Sequence, residues 1–205
     1  MAEFKKIAVF CGASSGSDPV YIECAQKLGE EMVRRKIGLV YGGGNIGLMG
    51  AIAETVGKGL GENNVIGVIP KALAPREISG TTVGEIRLVE DMHTRKAMMF
   101  AEADAFIAIP GGFGTLDETL EITTWQQLGF HSKPVGILNI SGFFDHLLAF
   151  MDHATKEGFI RQASRDIIQS DVEPAALIEK LFAYQAPPSL IHLASQGKLN
   201  DTERG

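Results

Sequence analysis

Two short segments of the chain place charged side chains on helix faces that are otherwise apolar. The first, residues 110–118, has the sequence PGGFGTLDE and runs from a predicted strand end into a helical pattern. Glu118 and Glu121 share one face of that helix with Ile122 and Trp125. The helix dipole favours a carboxylate in the first turn by about 0.3–1 kcal/mol, but this does not explain an inward position, where an unpaired charge is costly. We therefore interpret Glu118 as a functional carboxylate.

The second segment, residues 91–99, has the sequence DMHTRKAMM and places positively charged side chains on an otherwise apolar helix face. Met92, Arg95, Lys96 and Met99 fall on one stripe of a helix that follows another strand. Both long cationic side chains can snorkel to water over apolar surface, but the parallel with Glu118 favours one joint site. Arginine offers a planar fork for a carboxylate or phosphate, and lysine offers a compact charge.

Three neighbouring residues have open or minor roles at this stage. Glu121 either pairs with Arg95 or Lys96 or lies at a subunit contact. Asp117 points away from the apolar stripe, so we predict a solvated helix residue. His93 is either a proton donor or, since it has no evident partner, a structural or exposed residue, and the other histidines show no metal-ligand spacing.

Three glycine-rich turns follow predicted strands, with the sequences CGASSG (11–16), YGGGNIGLMG (41–50) and PGGFGT (110–115). Glycine lets the backbone approach a ligand closely, and the helix that follows presents free N–H groups to an anion. Ser14 is either a hydroxyl donor to a ligand or a capping residue. The turns predict a site for a small phosphorylated ligand.

The elements that position these turns alternate between strand and helix. The predicted strands are residues 6–11, 38–41, 65–69, 85–89, 105–109, 134–140 and 166–169. The predicted helices are residues 19–35, 48–60, 92–102, 115–128, 143–157 and 174–184. Continuous apolar strands in this order predict a single-domain Rossmann-like α/β fold over residues 1–185, with a mostly parallel sheet, helices on both faces and a ligand crevice at the carboxyl ends of the strands. Residues 186–205 begin with paired prolines and are predicted to be an extended or disordered tail.

Composition narrows the classes of partner. The net charge of −6 provides no basic field for a nucleic acid. No apolar run approaches the roughly 18 residues of a membrane span, and the N-terminus lacks a signal pattern. With only two cysteines, Cys11 and Cys24, at spacings that suit neither a metal nor a disulfide framework, we expect a cytoplasmic protein with no metal and no membrane partner.

Other functions remain open on the residues alone. Gly42, Gly44 and Gly47 match the dinucleotide fingerprint of an NAD-dependent oxidoreductase, but they follow the second strand, and the next strand ends at Ile69-Pro70-Lys71 without a carboxylate for the ribose. A serine nucleophile fits poorly, because there is no Gly-x-Ser-x-Gly elbow. A non-enzymatic nucleotide or cofactor carrier would use the same fold, although it has little use for an inward carboxylate.

The motifs MHTRK (92–96) and PGGFGTLDE (110–118) together resemble the signatures of the LONELY GUY family of cytokinin-activating enzymes. The likeness extends over roughly residues 7–185 and includes VFCGASSG, LVYGGGNIGLMG, VIGVIPKAL and TWQQLGFHSKPVGILN. Members are phosphoribohydrolases that cleave the N-glycosidic bond of N6-substituted adenosine 5′-monophosphates to free base and ribose 5-phosphate. Many relatives carry the label lysine decarboxylase, for which the residues give no independent support.

The resemblance implies specific roles. It makes Arg95 and Glu118 catalytic and puts Lys96 and Met92 close by, without a cofactor. It implies a homodimer with the site near the subunit contact. The 5′-phosphate would be held by the turn Gly111, Gly112, Phe113, Gly114 and Thr115, and the nucleotide would be bordered by Gly43 and Gly44. Phe113 and Ala13 stand where many relatives have Tyr and Ser, which should adjust ligand contacts without removing the chemistry. Whether AMP itself is a substrate, and which N6 substituent is preferred, is left open.

Overall fold

Seven short strands form one sheet in the computed structural model, which describes residues 4–196. They are β1 (Lys6–Phe10), β2 (Gly38–Tyr41), β3 (Val65–Pro70), β4 (Glu85–Val89), β5 (Ala105–Ala108), β6 (Val135–Leu138) and β7 (Ile168–Asp171). Every neighbouring pair is parallel. Most strands are buried along their whole length, as expected for a parallel sheet that helices cover on both faces.

The strand order is β4-β3-β2-β1-β5-β6-β7, which confirms the predicted Rossmann-like fold. The order reverses between β1 and β5, and this switch point is where such sheets open a ligand crevice. There the Gly12 N–H donates a hydrogen bond of 3.1 Å to the Pro110 carbonyl. The first and third glycine turns therefore lie side by side.

The helices within the described residues are α1 (Val20–Arg34), α2 (Gly47–Leu60), α3 (Ala74–Glu77), α4 (Met92–Glu102), α5 (Phe113–Leu128), α6 (Asp145–Lys156), α7 (Gln162–Arg165), α8 (Pro174–Ala183) and α9 (Leu190–Ser195). The apolar residues of α1, α2 and α8 form one core on one face of the sheet. On the other face, Met99 of α4 and Ile122 of α5 share a second core. Phe100 and Trp125 pack edge to face at 5.5 Å, which joins α4 to α5.

The predicted element bounds differ from the observed ones by a few residues, except in three short helices. Both α3 and α7 are single turns, too short to show a helical period. The predicted extended tail is wrong at Leu190–Ser195, which form α9 with Ser189 capping the His192 N–H at 3.1 Å. A Cβ added to Gly129, at the end of α5, would meet the Ser189 side chain, so the segment entering α9 packs against α5. The remainder of the predicted tail, residues 197–205, lies outside the described residues.

Among residues 4–196, no helix combines the length and the apolar character needed to cross a lipid bilayer.

Candidate active site

The first turn of α5 is open to solvent and carries no side-chain cap. Gly112 is its N-cap residue, and Gly112, Phe113 and Gly114 are exposed. A Cβ added to Gly112 or Gly114 would meet no atom within 4 Å, so space lies in front of both. A helix that begins this way offers free N–H groups and a partial positive charge to an anion. This open turn is the predicted phosphate-binding segment.

Gly111 has a packing role at the start of this turn. A Cβ at Gly111 would collide with the side chain of Thr115 and lie 2.8 Å from the Gly12 nitrogen. Thr115 is buried. Gly111 therefore allows the strand end, the helix start and the first glycine turn to meet.

Glu118, one turn further along α5, is 4% exposed, as predicted from the helical stripe. Its Oε1 lies 3.3 Å from Nη2 of Arg95, which is also buried. Neither Glu118 Oε1 nor Arg95 Nε has a hydrogen-bond partner within the described residues. Burial raises the pKa of Glu118 from 4.5 to about 7, although the nearby Arg95 charge lowers it. Glu118 is thus a desolvated carboxylate that titrates near neutral pH.

Arg95 reaches this carboxylate because α4 begins at the end of β4. Asp91 caps the helix by accepting the Thr94 N–H at 2.7 Å. The guanidinium then lies directly against the Cα of Gly42, where a Cβ would collide with Nη2. Arg95 Nη1 also lies 3.8 Å from the sulfur of Met92. The glycine after β2 therefore provides the space for the arginine that follows β4.

Lys96 forms the second link between α4 and α5. Its Nζ lies 2.8 Å from Glu121 and 3.1 Å from Asp117. Burial lowers the pKa of Lys96, but the carboxylates of Glu121 and Asp117 outweigh that effect and the net shift is upward. The pairing of Glu121 is one of the two roles left open above. Asp117 is exposed, as predicted for a solvated helix residue, and its carboxylate also pairs with Lys96.

The second glycine turn is shaped by contacts within the protein. A Cβ at Gly43, where φ is +81°, would lie 2.9 Å from Ile69, and one at Gly44 would lie 3.3 Å from the Glu77 carbonyl. Gly47, where φ is +60°, would meet the backbone of Ala13 at 2.5 Å. These contacts account for the glycines of the apparent dinucleotide fingerprint. Gly43 and Gly44 are buried, and their contact with a nucleotide stays a prediction.

Ser14 lies at the rim of a cavity of about 190 Å³ between the first and third glycine turns. The wall includes Gly12, Gly111 and the aromatic rings of Tyr21 and Phe143. Ser14 is exposed, and its Oγ is 3.4 Å from the Gly16 nitrogen. The hydroxyl therefore lies at the switch-point crevice, as its predicted ligand role requires.

Two groups near Glu118 were missed by sequence reasoning. Burial, reinforced by the Glu118 charge, raises the pKa of the Cys11 thiol at the end of β1, so Cys11 is a neutral group at neutral pH. Glu77, at the end of α3, has a buried Oε2 without a hydrogen-bond partner. The available signal for Glu77 was a carboxylate shortly after the third strand, in a segment too short to show a period. Among residues 4–196, no cluster of three His, Cys, Asp or Glu residues could hold a metal ion.

Solved structures share this fold. A molybdenum cofactor binding protein from the phototrophic bacterium Rippkaea orientalis superposes with a TM-score of 0.64 at 24% identity, covering 87% of this chain and 95% of that chain. At this level of identity the likeness concerns the fold alone.

Sequence comparison is more specific. Residues 49–181 match the family model described as "Possible lysine decarboxylase". One cytokinin riboside 5′-monophosphate phosphoribohydrolase of Arabidopsis thaliana is 54% identical over 184 residues, covering 90% of this chain and 84% of the relative. A second one from the same plant is 55% identical over 183 residues, covering 89% and 85%. The chain therefore belongs to the LONELY GUY family of cytokinin riboside 5′-monophosphate phosphoribohydrolases.

Proposed function

We propose that this protein hydrolyses the N-glycosidic bond of N6-substituted adenosine 5′-monophosphates, and of AMP, to give the free base and ribose 5-phosphate. The observation that carries the proposal is the buried Glu118, paired with Arg95 at 3.3 Å one helical turn from an uncapped helix start. The names of the relatives agree with this activity.

Each part of the site supports one part of the reaction. Breaking the bond between C1′ and the base nitrogen builds positive charge on the ribose, and a carboxylate beside C1′ stabilises it. Water then forms the new C1′–O bond, one of its protons is taken up by a base, and the leaving purine nitrogen receives a proton. With a pKa near 7, Glu118 is suited to accept the proton from water at neutral pH.

The remaining groups of the site position the substrate and the Glu118 carboxylate. The free N–H groups of Gly112, Phe113 and Gly114 bind the 5′-phosphate and hold C1′ near the carboxylate. Arg95 keeps the Glu118 carboxylate oriented, and Lys96 fixes α4 against α5 through its two carboxylate partners.

The direct test is replacement of Glu118 by Gln. We expect the variant to fold, because the amide is close in shape to the carboxyl, and to release no base from a nucleoside monophosphate, because an amide neither stabilises the cation nor accepts a proton. Released base is measured by chromatography. A variant that keeps turnover would remove Glu118 from the mechanism.

The phosphate turn is tested by substrate truncation. We expect hydrolysis of AMP or its N6-isopentenyl analogue to be far faster than hydrolysis of the matching riboside, because the riboside has no group for the helix start to bind. Equal kcat/KM values for the two would contradict the proposed role of residues 111–115. The carrier alternative predicts nucleotide binding without base release in the same experiment.

We also propose a cytoplasmic homodimer. Support comes from apolar side chains that α5 and α6 leave exposed, with Phe113 93% exposed, Phe150 64% and Leu120 40%. Leu120 and Phe150 border an apolar groove of about 160 Å³ between α5 and α6. Such surface favours a protein contact, and light scattering of the protein and of Phe150→Glu tests it. Monomeric wild-type protein would contradict the proposal.

A further inference from the structure

Glu77 is a partly exposed residue with one buried carboxylate oxygen, and the mechanism above does not use it. Its Oε2 is shielded from solvent and has no hydrogen-bond partner within the described residues. A buried polar atom without a partner is costly, by about 1–3 kcal/mol in general. Such an atom next to a ligand crevice is most simply explained by a donor that arrives with the ligand.

The backbone around Glu77 is held firmly against the second glycine turn. The Asn45 N–H donates to the Glu77 carbonyl at 3.1 Å. The Asn45 side chain donates to the carbonyls of Ser79 and Thr81 at 2.6 and 2.7 Å and accepts from the Ser79 N–H at 2.7 Å. One asparagine thus ties the segment after α3 to the crevice, so the position of Glu77 is fixed.

Glu77 lies close enough to Glu118 for its charge to act on that carboxyl group. Among the causes that shift the pKa of Glu118, led by burial, is the charge of Glu77. A Cβ on Gly44 would lie 3.4 Å from the Glu77 Cβ and 3.4 Å from the Met49 sulfur, and one on Gly42 would lie 2.8 Å from that same sulfur and collide with Arg95. Arg95, Met49 and Glu77 therefore form a continuous wall along this turn.

The order of groups along the crevice assigns Glu77 to one part of the substrate. The phosphate turn follows β5, and α3 follows β3, which is three strand positions away in the sheet, or about 14 Å at the usual spacing. The Arg95–Glu118 pair lies between the two ends, because Arg95 reaches Gly42 after β2. In a nucleoside monophosphate the ribose carries the phosphate on one side of C1′ and the base on the other. With the phosphate on α5 and C1′ at Glu118, Glu77 lies on the side of the base.

We propose, on the basis of the function proposed above, that Glu77 accepts a hydrogen bond from the exocyclic N6–H of the purine and so selects 6-aminopurine nucleotides over 6-oxopurine nucleotides. An N6-monosubstituted adenine keeps one such hydrogen. A 6-oxo base presents an acceptor at that place, which a carboxylate repels. Sites built to hydrogen-bond a substrate donor reject analogues that lack it, because the buried partner is then left unsatisfied.

The experiment compares kcat/KM for AMP, for IMP and for N6,N6-dimethyl-AMP, which has no N6 hydrogen. In the wild type we expect AMP to exceed both analogues by about 10-fold to 100-fold, the range of one hydrogen bond to a charged group. In Glu77→Gln the ratio of AMP to IMP should fall toward one, with most of the change in KM, since the amide can also donate. Glu30→Gln, on the exposed face of α1, is the matched control and should keep the wild-type ratios.

The outcomes separate this inference from the proposed function. Absence of base release from any of the three nucleotides by the wild type would refute the proposed function itself. Base release with equal kcat/KM values for AMP and N6,N6-dimethyl-AMP, or an unchanged AMP to IMP ratio in Glu77→Gln, would overturn the role of Glu77 alone. A loss of activity that is equal for all three substrates would indicate a merely structural residue. If Glu77→Gln does not fold, equal kcat/KM values for AMP and N6,N6-dimethyl-AMP in the wild type would still overturn the role of Glu77.

Discussion

Replacing Glu118 by Gln should stabilise the protein at the pH where the replacement abolishes activity. Burial raises the pKa of Glu118 from 4.5 to about 7 in the folded protein. Each pKa unit corresponds to about 1.4 kcal/mol, so keeping Glu118 ionised costs the folded state about 3 kcal/mol. The glutamine is neutral at every pH and avoids that cost.

The sign of the pH dependence follows from the upward shift. Below pH 4.5 the carboxyl is neutral in both the folded and the unfolded chain, so wild type and Glu118→Gln should be similar in stability. As the pH rises from 4.5 through 7, the unfolded chain loses its proton first and the wild type loses stability relative to the variant. The full difference of about 3 kcal/mol is expected at pH 8. The charges that act on Glu118 in this range are Arg95, Asp117, Lys96 and Glu77.

Urea unfolding followed by circular dichroism at pH 4.5, 6 and 8 measures the difference. Asp117→Asn is the control on the same helix, because its half-exposed ion pair should contribute less than about 1 kcal/mol. A Glu118→Gln variant that is less stable than wild type at pH 8, or a difference that is the same at all three pH values, would refute the reasoning. It would mean that the Arg95 pairing outweighs the burial of Glu118.

Three further predictions concern the same pair of helices. The kcat/KM for AMP should rise with pH up to about 7 and then level, because Glu118 acts in its ionised form; a profile that is flat between pH 5 and 8 would contradict this. Gly42→Ala should lower kcat by about 100-fold, because the methyl group displaces Arg95 from the carboxylate; full activity of this variant in the base-release assay would show that the contact is dispensable. Lys96→Met should lower the free energy of unfolding by about 1–3 kcal/mol, since Glu121 loses its partner at 2.8 Å; an unchanged urea midpoint would argue against it.

The Lys96 prediction has a matched control in Lys58→Met. Lys58 forms an exposed ion pair with Glu54 at 3.0 Å, with the lysine side chain 78% exposed. Exposed pairs contribute about 0–1 kcal/mol, so this variant should unfold close to the wild type.

Periodicity was sufficient to predict the burial of the candidate site residues that lie on long helices. Glu118 and Arg95 each stand in a helix of 11 residues or more, where three- and four-residue steps define a buried face. The fold class was predictable for a similar reason, because continuous apolar runs alternating with helices favour a doubly wound sheet.

The roles of residues outside the long helices, or in contact with a different element, could not be predicted from periodicity. Glu77 ends a helix of four residues, and its backbone is held by a hydrogen bond from the Asn45 N–H of a different turn. Asp117 stands on the outer side of α5 by period alone, yet Lys96 of α4 lies close enough to hold it. The need for a glycine at position 42 could not be predicted either. The side chain that occupies the space beside Gly42 is Arg95, which follows β4, whereas Gly42 follows β2. These features depend on contacts between elements, which a single period along the chain does not encode.

Trp125 gives the protein an intrinsic optical reporter of its candidate active site. It is the only tryptophan in the chain, and its indole packs against Phe100 at 5.5 Å, on the seam between the helix with Arg95 and the helix with Glu118. Any ligand or variant that separates or tightens these two helices changes the surroundings of this one indole. We therefore expect its fluorescence emission to report changes in the packing of α4 against α5 without an added label. The emission can be recorded during the base-release assay itself.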